Sequence, residues 1–309
     1  MDITIRQLRY FLALYEHRHF GRAAAASSVS QPALSVQVKE LESALGGALI
    51  DRGGKGMAPT PLGHEIAAQA RRVITEVEAL TRIARIKRGL EGVFTLGLIP
   101  TVAPYLLPHA LGLIRARLPR LDLRVREAKT DELMEELHDG RLDAVVVAGP
   151  PEGEALQGRL LFRDRFLLAA NRTDADLLRL KDGAVQIDEV AKMRLLLLDE
   201  GHCLRDQALT VCKLTPREAK AQLGASSMTT LLRLVAGGFG ATLAPEMAYD
   251  ETLALSELRL IRLAAPEPER EIWFVARRRK GAEASFAALS DILAEAGADR
   301  LLNARRAAT

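Results

Sequence analysis

Residues 8–52 read LRYFLALYEHRHFGRAAAASSVSQPALSVQVKELESALGGALIDR, and the spacing of their apolar side chains decides the fold of the first part of the chain. Ile5, Leu8, Leu12 and Tyr15 recur at helical intervals with Phe11 beside them, which predicts an amphipathic helix over residues 3–17. A short alanine-rich helix follows from about Gly21 to Ser27. Ser28-Val29-Ser30 interrupts it, and Gln31-Pro32 opens a third helix, because a first turn tolerates Pro where the backbone N–H has no partner. Leu34, Val38, Leu41 and Leu45 form the buried stripe of this helix, and Gly46-Gly47 ends it. The outline is a helix-turn-helix. Residues 48–52 and 57–59, joined by Gly53-Gly54-Lys55-Gly56, add a small two-stranded wing with a basic tip.

On the third helix, Gln31, Pro32, Ser35 and Lys39 fall away from the apolar stripe, so short hydrogen-bonding groups occupy its N-terminal half. That end is the one that reads base edges in a major groove. Together with Ser30 they are candidate contacts to double-stranded DNA, and Arg52 and Lys55 of the wing are candidate phosphate contacts. A three-helix bundle with a merely polar surface is the plainer alternative. The net charge of +3 says little by itself. Its distribution says more, since residues 1–92 hold 13 basic and 9 acidic side chains and the remainder 30 and 31. The quoted segment, followed by Thr60-Pro61-Leu62-Gly63, resembles the N-terminal winged helix-turn-helix of LysR-type transcription regulators. It departs from that pattern in the wing, where Ile50 stands at a position in which Phe is common and the loop GGKGMAP carries a single Lys.

A chain of 309 residues accommodates two or three domains. With 48% hydrophobic and 27% charged residues it is too apolar to be intrinsically disordered. No run approaches the ~20 apolar residues that span a bilayer, so the expected location is the cytoplasm, with no membrane partner. From Pro61 to about Arg88, Leu62, Ile66, Ala70, Val73, Val77, Leu80 and Ala84 mark one long helix of roughly 40 Å. A second copy of the same helix would bury that stripe and bring two reading heads to one DNA, which is also what the resemblance implies. Packing on the chain's own C-terminal part is the alternative. Residues 87–92 make a fair hinge, so the expected division is a DNA-binding domain over 1–60, a linker and dimerisation helix with its hinge over 61–91, and a regulatory domain over 92–309.

Beyond the hinge, strand-like and helical runs alternate, with strands at 93–99, 121–128 and 143–148 and helices near 105–118 and 130–138. That rhythm predicts parallel βαβ units. Further strands are expected at 158–170, 194–198, 242–244, 258–263 and 272–276. The resemblance implies that this α/β region consists of two periplasmic-binding-protein-like subdomains, with the chain crossing between them twice and a cleft in between.

The only cysteines are Cys203 and Cys212, with no CxxC metal spacing. Gly201-His202 reads as a loop and Leu204–Val211 as a helix that Pro216 stops. Cys203 would then lie at a helix N-terminus beside His202 and Arg205, three features that favour a thiolate. Along an intact helix the two cysteines stand roughly 13–14 Å apart, whereas a disulfide needs Cα atoms within about 7 Å. If they bond, the helix must unwind, and oxidation becomes a conformational switch. Two reduced cysteines buried as small apolar residues remain an alternative. A zinc site from His202, Cys203 and Cys212 is disfavoured by neighbouring side chains that diverge and by the want of a fourth ligand, so neither a metal nor a cofactor is expected.

The strings GHCLRDQAL at 201–209 and GLIPTVAPYLLPH at 97–109 closely resemble the peroxide-sensing branch of the LysR-type regulators. That resemblance implies that hydrogen peroxide attacks at Cys203, that Cys212 resolves the product as a disulfide, that Thr101 and Thr130 orient the peroxide, and that His202, Asp206 and Arg270 support the thiolate. Each has a plainer reading: Thr101 as a helix cap, Asp206 as a helix-dipole partner, Arg270 as part of a solvated charge run with Glu267, Glu269 and Glu271. The resemblance further implies a homotetramer, a dimer of dimers, on promoter DNA, with contact to RNA polymerase. The alternatives are a regulator answering to a small molecule in the inter-subdomain cleft and, from another class, a thiol peroxidase carrying a DNA-binding head.

Overall fold

The computed structural model describes residues 3–51, 53, 57–86, 90–215, 224–249 and 257–307. Arg52, Lys55, Pro216 and most of the expected hinge lie outside the described residues. The chain divides into two compact units, one built on Met1–Lys87 and the other on Arg88–His138 and Leu142–Thr309.

In the first unit, helix α1 (Ile5–His17) starts with a capping box, the Thr4 hydroxyl accepting from the Gln7 N–H and the Gln7 side chain accepting from the Thr4 N–H. Helix α2 (Phe20–Ala26) and α3 (Gln31–Leu45) follow, and the Ser30 hydroxyl caps α3 by accepting from the Ala33 N–H at 3.4 Å. Gly46 ends α3 at φ +72°, a conformation that costs glycine little. Phe11, Leu14, Leu34, Val38, Leu41 and Leu49 fill the core between the helices. Strand β1 (Ile50–Asp51) pairs antiparallel with β2 (Ala58–Pro59), a minimal wing. Helix α4 (Pro61–Ile86) then runs 26 residues, about 39 Å. Ala67 and Ala70 of α4 pack into the same core, while Leu62 and Val73 of the expected stripe are exposed.

The second unit begins as alternation dictates. Strand β3 (Gly92–Leu98), α5 (Ala103–Arg117), β4 (Leu121–Glu127), α6 (Thr130–His138) and β5 (Ala144–Ala148) form two parallel βαβ units in the order β4-β3-β5. Strand β6 (Leu156–Asn171) is 16 residues long and serves two sheets. After it come α7 (Arg172–Asp176), β7 (Ala184–Val185), α8 (Ile187–Val190), β8 (Leu197–Leu198), α9 (Cys203–Cys212), β9 (Gly224–Ala225), α10 (Met228–Ala236) and β10 (Thr242–Pro245). A 3-10 turn (Glu246–Ala248), β11 (Leu258–Leu263), β12 (Glu269–Arg277) and α11 (Glu283–Ala307) complete it. The expected strand at 194–198 shortens to β8, which pairs with β9.

Residues 156–165 of β6 pair with β12, which lies antiparallel between β5 and β6, whereas residues 166–171 pair with β10 and β11. Two cores result. Leu98, Val146, Phe274 and Leu293 belong to the first, and Leu168, Leu196, Leu231 and Leu243 to the second. The chain passes from one to the other at Arg165–Phe166 and returns between Leu263 and Glu269, two crossings between two subdomains. Among the described residues no helix is long and apolar enough to cross a membrane.

A Cβ at Gly63, in the first turn of α4, would lie 2.1 Å from the Leu49 carbonyl oxygen, a backbone atom that cannot swing aside. Gly63→Ala is expected to destabilise the first unit by about 1–3 kcal/mol, read as a lower urea midpoint for that unit.

Candidate functional site

Both cysteines are unbonded and mark the first and last residues of α9. Gly201, at φ +86°, turns the chain out of β8, His202 is extended at the N-cap, and Lys213 in the left-handed region closes the helix. The helix is anchored on one side only. Leu204, Ala208, Leu209 and Cys212 are buried in the second core, whereas Cys203 is partly exposed and packs against the first. Each thiol therefore belongs to a different subdomain, roughly 13–14 Å of helix apart.

The polar groups gathered around the N-terminus of α9 come mainly from the first subdomain and its border. The Arg270 guanidinium, with 0% of its side chain exposed, donates from Nε and Nη2 to Asp164 Oδ2 at 3.1 and 2.9 Å, from Nη1 to Thr101 Oγ1 at 2.9 Å and from Nη2 to the Thr101 carbonyl at 3.0 Å. Asp164 is equally buried, and its Oδ1 accepts from the Met247 N–H at 3.0 Å. Thr130 opens α6; its hydroxyl is buried without a hydrogen-bond partner of ordinary geometry and lies close enough to the Cys203 thiol to favour the ionised form. Lys129 extends across Gly201 and donates from Nζ to the Glu200 carbonyl at 2.6 Å.

Electrostatics at Cys203 are contested. Burial pushes the thiol above its ordinary value, Arg270, Thr130 and the Leu204 N–H pull it back down, and Asp206 pushes it up again. The expectation that sequence neighbours would make Cys203 a ready thiolate is thus corrected, because desolvation outweighs the helix terminus. His202 is buried and held below the ordinary imidazole value by that burial and by Lys129, against Asp199, so it is neutral near pH 7. Arg205 turns away to the Leu198 carbonyl and Glu200. Asp206 is exposed, and its charge opposes the thiolate rather than supporting it. Cys212, with nothing to offset its burial, is pushed up to about 11.

Arg270 is the residue whose plainer reading fails outright. Its neighbours Glu269 and Glu271 pair with Arg163 on the outer face of the sheet, while strand alternation turns Arg270 inward. Thr101, Thr130, His202, Cys203 and Arg270 accordingly gather at one place. Sequence reading missed Asp164 and Lys129. For Asp164 a signal existed: Phe162, Asp164 and Phe166 alternate in β6, so the middle of the charged run 163–165 points to the interior with the phenylalanines. Among the described residues no group of His, Cys, Asp and Glu is arranged to hold a metal ion.

On α3, Ser30, Gln31, Pro32 and Lys39 are exposed and Ser35 is half-buried, with Val36 exposed between them. One helix face thus offers an amide, a hydroxyl, an ammonium and an apolar side chain. Ser30 already spends its hydroxyl oxygen on the cap.

Residues 5–64 match the bacterial regulatory helix-turn-helix protein family of lysR type, and residues 87–298 match the LysR substrate binding domain. The chain belongs to the LysR family, in its OxyR branch. A probable hydrogen peroxide-inducible genes activator of Streptomyces viridosporus is 41% identical over 96% of this chain and 95% of its own length. Among solved structures, a cysteine variant of full-length OxyR from Pseudomonas aeruginosa is 30% identical, with a TM-score of 0.74 over 96% of this chain and 97% of that one. A cysteine mutant of Corynebacterium glutamicum OxyR with hydrogen peroxide bound is 31% identical, with a TM-score of 0.67 over 99% and 96%. The two-subdomain regulatory region expected from the LysR resemblance is the fold observed.

Because the Arg270 guanidinium draws the thiol down, Arg270→Gln is expected to move the midpoint of Cys203 alkylation by iodoacetamide upward, and Asp206→Asn to move it downward. Rate-against-pH profiles of the reduced protein check both signs.

Proposed function

We propose that this LysR-family chain is a DNA-binding transcription regulator that senses hydrogen peroxide at Cys203 and stores the signal as a Cys203–Cys212 disulfide. One observation carries the reading: an oxidisable pair of thiols sits at the two ends of one helix, and Cys203 lies in the field of a buried guanidinium that also holds Thr101 and beside the Thr130 hydroxyl. The peroxide-bound relative supports the same assignment of ligand class.

The chemistry follows from that asymmetry. The Cys203 sulfur, once ionised, attacks one peroxide oxygen; the S–O bond forms as the O–O bond breaks, and the second oxygen departs as hydroxide. The proton lost by the thiol converts that hydroxide to water, and the Arg270 charge stabilises it as it leaves. Thr101 Oγ1 accepts from Arg270, which leaves its own proton to donate to peroxide, and the Thr130 hydroxyl beside the thiol offers a second contact. His202 serves as neutral polar support. The Cys212 thiol then attacks the sulfenic sulfur; an S–S bond replaces the S–O bond, and the departing hydroxide takes the proton that the thiol gives up and leaves as water. This second step demands that α9 unwind, since Cys212 lies at the far end and inside the second core.

In this reading residues 1–60 are the DNA-binding domain, 61–91 the linker and dimerisation helix with its hinge, and 92–309 the redox-sensing domain. Ser30, Gln31, Pro32, Ser35 and Lys39 contact promoter DNA, joined by Arg52 and Lys55. The exposed Leu62 and Val73 of α4 favour a partner helix, and a dimer of dimers would place four heads on the DNA and one face toward RNA polymerase. The protein acts in the cytoplasm, without a cofactor, and as a regulator rather than an enzyme, because refolding α9 in every cycle is unsuited to turnover.

Non-reducing peptide mapping after a sub-stoichiometric peroxide pulse is expected to yield a Cys203–Cys212 linkage, and Cys203→Ser to abolish both the linkage and the peroxide-dependent change in promoter footprint. Regulation by peroxide that persists in Cys203→Ser would refute the thiol mechanism and leave the small-molecule reading. Gln31→Ala is expected to weaken specific promoter binding by about 1–3 kcal/mol while sparing non-specific DNA binding, as measured by titration at fixed salt.

A further inference from the structure

Arg270 acts on the thiol through its charge from a buried position, and a guanidinium there is not self-orienting. Its planar fork has two edges, and a long side chain with several rotatable bonds could present either to the cleft. Asp164 removes that freedom. Its Oδ2 takes Nε at 3.1 Å and Nη2 at 2.9 Å, the same edge of the guanidinium, while its Oδ1 is tied to the Met247 N–H at 3.0 Å. With that edge occupied and Nη2 also bonded to the Thr101 carbonyl, Nη1 is the nitrogen left to hold Thr101 Oγ1. The hydrogen bonds of Asp164 go to Arg270 and the Met247 N–H; it is the group behind the cation.

We propose that Asp164 is a positioning residue for peroxide reduction at Cys203: by pinning Nε and Nη2 of Arg270 it directs Nη1 at Thr101 and fixes the positive charge where the departing oxygen develops its negative charge. The inference rests on the peroxide-sensing reading above. Stabilisation of a leaving hydroxide requires a donor that is already in place when the O–O bond breaks, so a guanidinium free to rotate would lose most of its effect even though its charge remained. Attack of the same sulfur on an alkyl iodide expels iodide and needs no such donor. The two reagents therefore separate orientation from thiol acidity.

The experiment uses the full-length reduced protein and measures second-order rates of Cys203 with hydrogen peroxide and with iodoacetamide for the wild type, Asp164→Asn, Arg270→Gln and the double variant. Asp164→Asn is expected to slow the peroxide reaction at least ten-fold and to leave alkylation within about three-fold. The double variant, in which a neutral pair replaces a buried ion pair, is expected to react with peroxide no more slowly than Arg270→Gln alone, because Asp164 acts through Arg270. Equal slowing with both reagents, or no slowing with peroxide, would overturn the proposal. If Asp164→Asn fails to fold, the double variant decides: a further ten-fold loss beyond Arg270→Gln means that Asp164 acts by another route. Failure of the wild-type Cys203 to react with peroxide would instead sink the sensor reading itself.

Discussion

The buried pair of Asp164 and Arg270 is the constraint on which the regulatory unit turns. It joins β6, β12, the loop between β3 and α5 and the 3-10 turn after β10, with β6 and β12 bordering the two points where the chain passes between its cores. Removing two charges from water costs several kcal/mol per ion, and that cost is tolerable only when geometry and additional hydrogen bonds are good. Here the guanidinium makes four bonds and the carboxylate has both oxygens engaged. Breaking the pair from one side would leave a charge stranded in the interior.

That arrangement also explains why a thiol with a raised pKa suits its task. Burial keeps Cys203 largely protonated against indiscriminate electrophiles, and the field of Arg270 is strongest for reagents small enough to enter beside it. Cys212 is deeper in deactivation, with a thiol at about 11 and no compensating cation, which keeps it silent until α9 opens.

Much of the fold was legible in periodicity. Leu34, Val38 and Leu41 announced α3, and the alternating runs from 93 to 148 announced the parallel units, because in both cases burial on one face leaves a regular imprint. The site was legible in part. Cys203 and Thr101 stood out through local motifs, but the direction of the Cys203 shift did not, since desolvation depends on what the other subdomain brings over the helix end. Asp206 shows the same limit: adjacency placed it in the first turn, and only the fold revealed that its carboxylate faces solvent. Asp164 is 106 residues from its partner, and no local reading pairs residues at that distance. The long helix α11, the C-terminal cover of the first core, left a weak imprint because alanines dilute its pattern.

Among the described residues, the ten residues of α9 stand between two two-residue strands, β8 and β9. Coiling of this one stretch and the redox poise of its terminal sulfurs are a single thermodynamic quantity. Each increment of about 1.4 kcal/mol in the helix's stability raises the midpoint potential of the couple by about 30 mV, making the oxidised form easier to reset. A solvent-facing position such as Thr210, near the helix's C-terminal end, therefore acts as a tuning dial for the threshold at which the oxidised state accumulates.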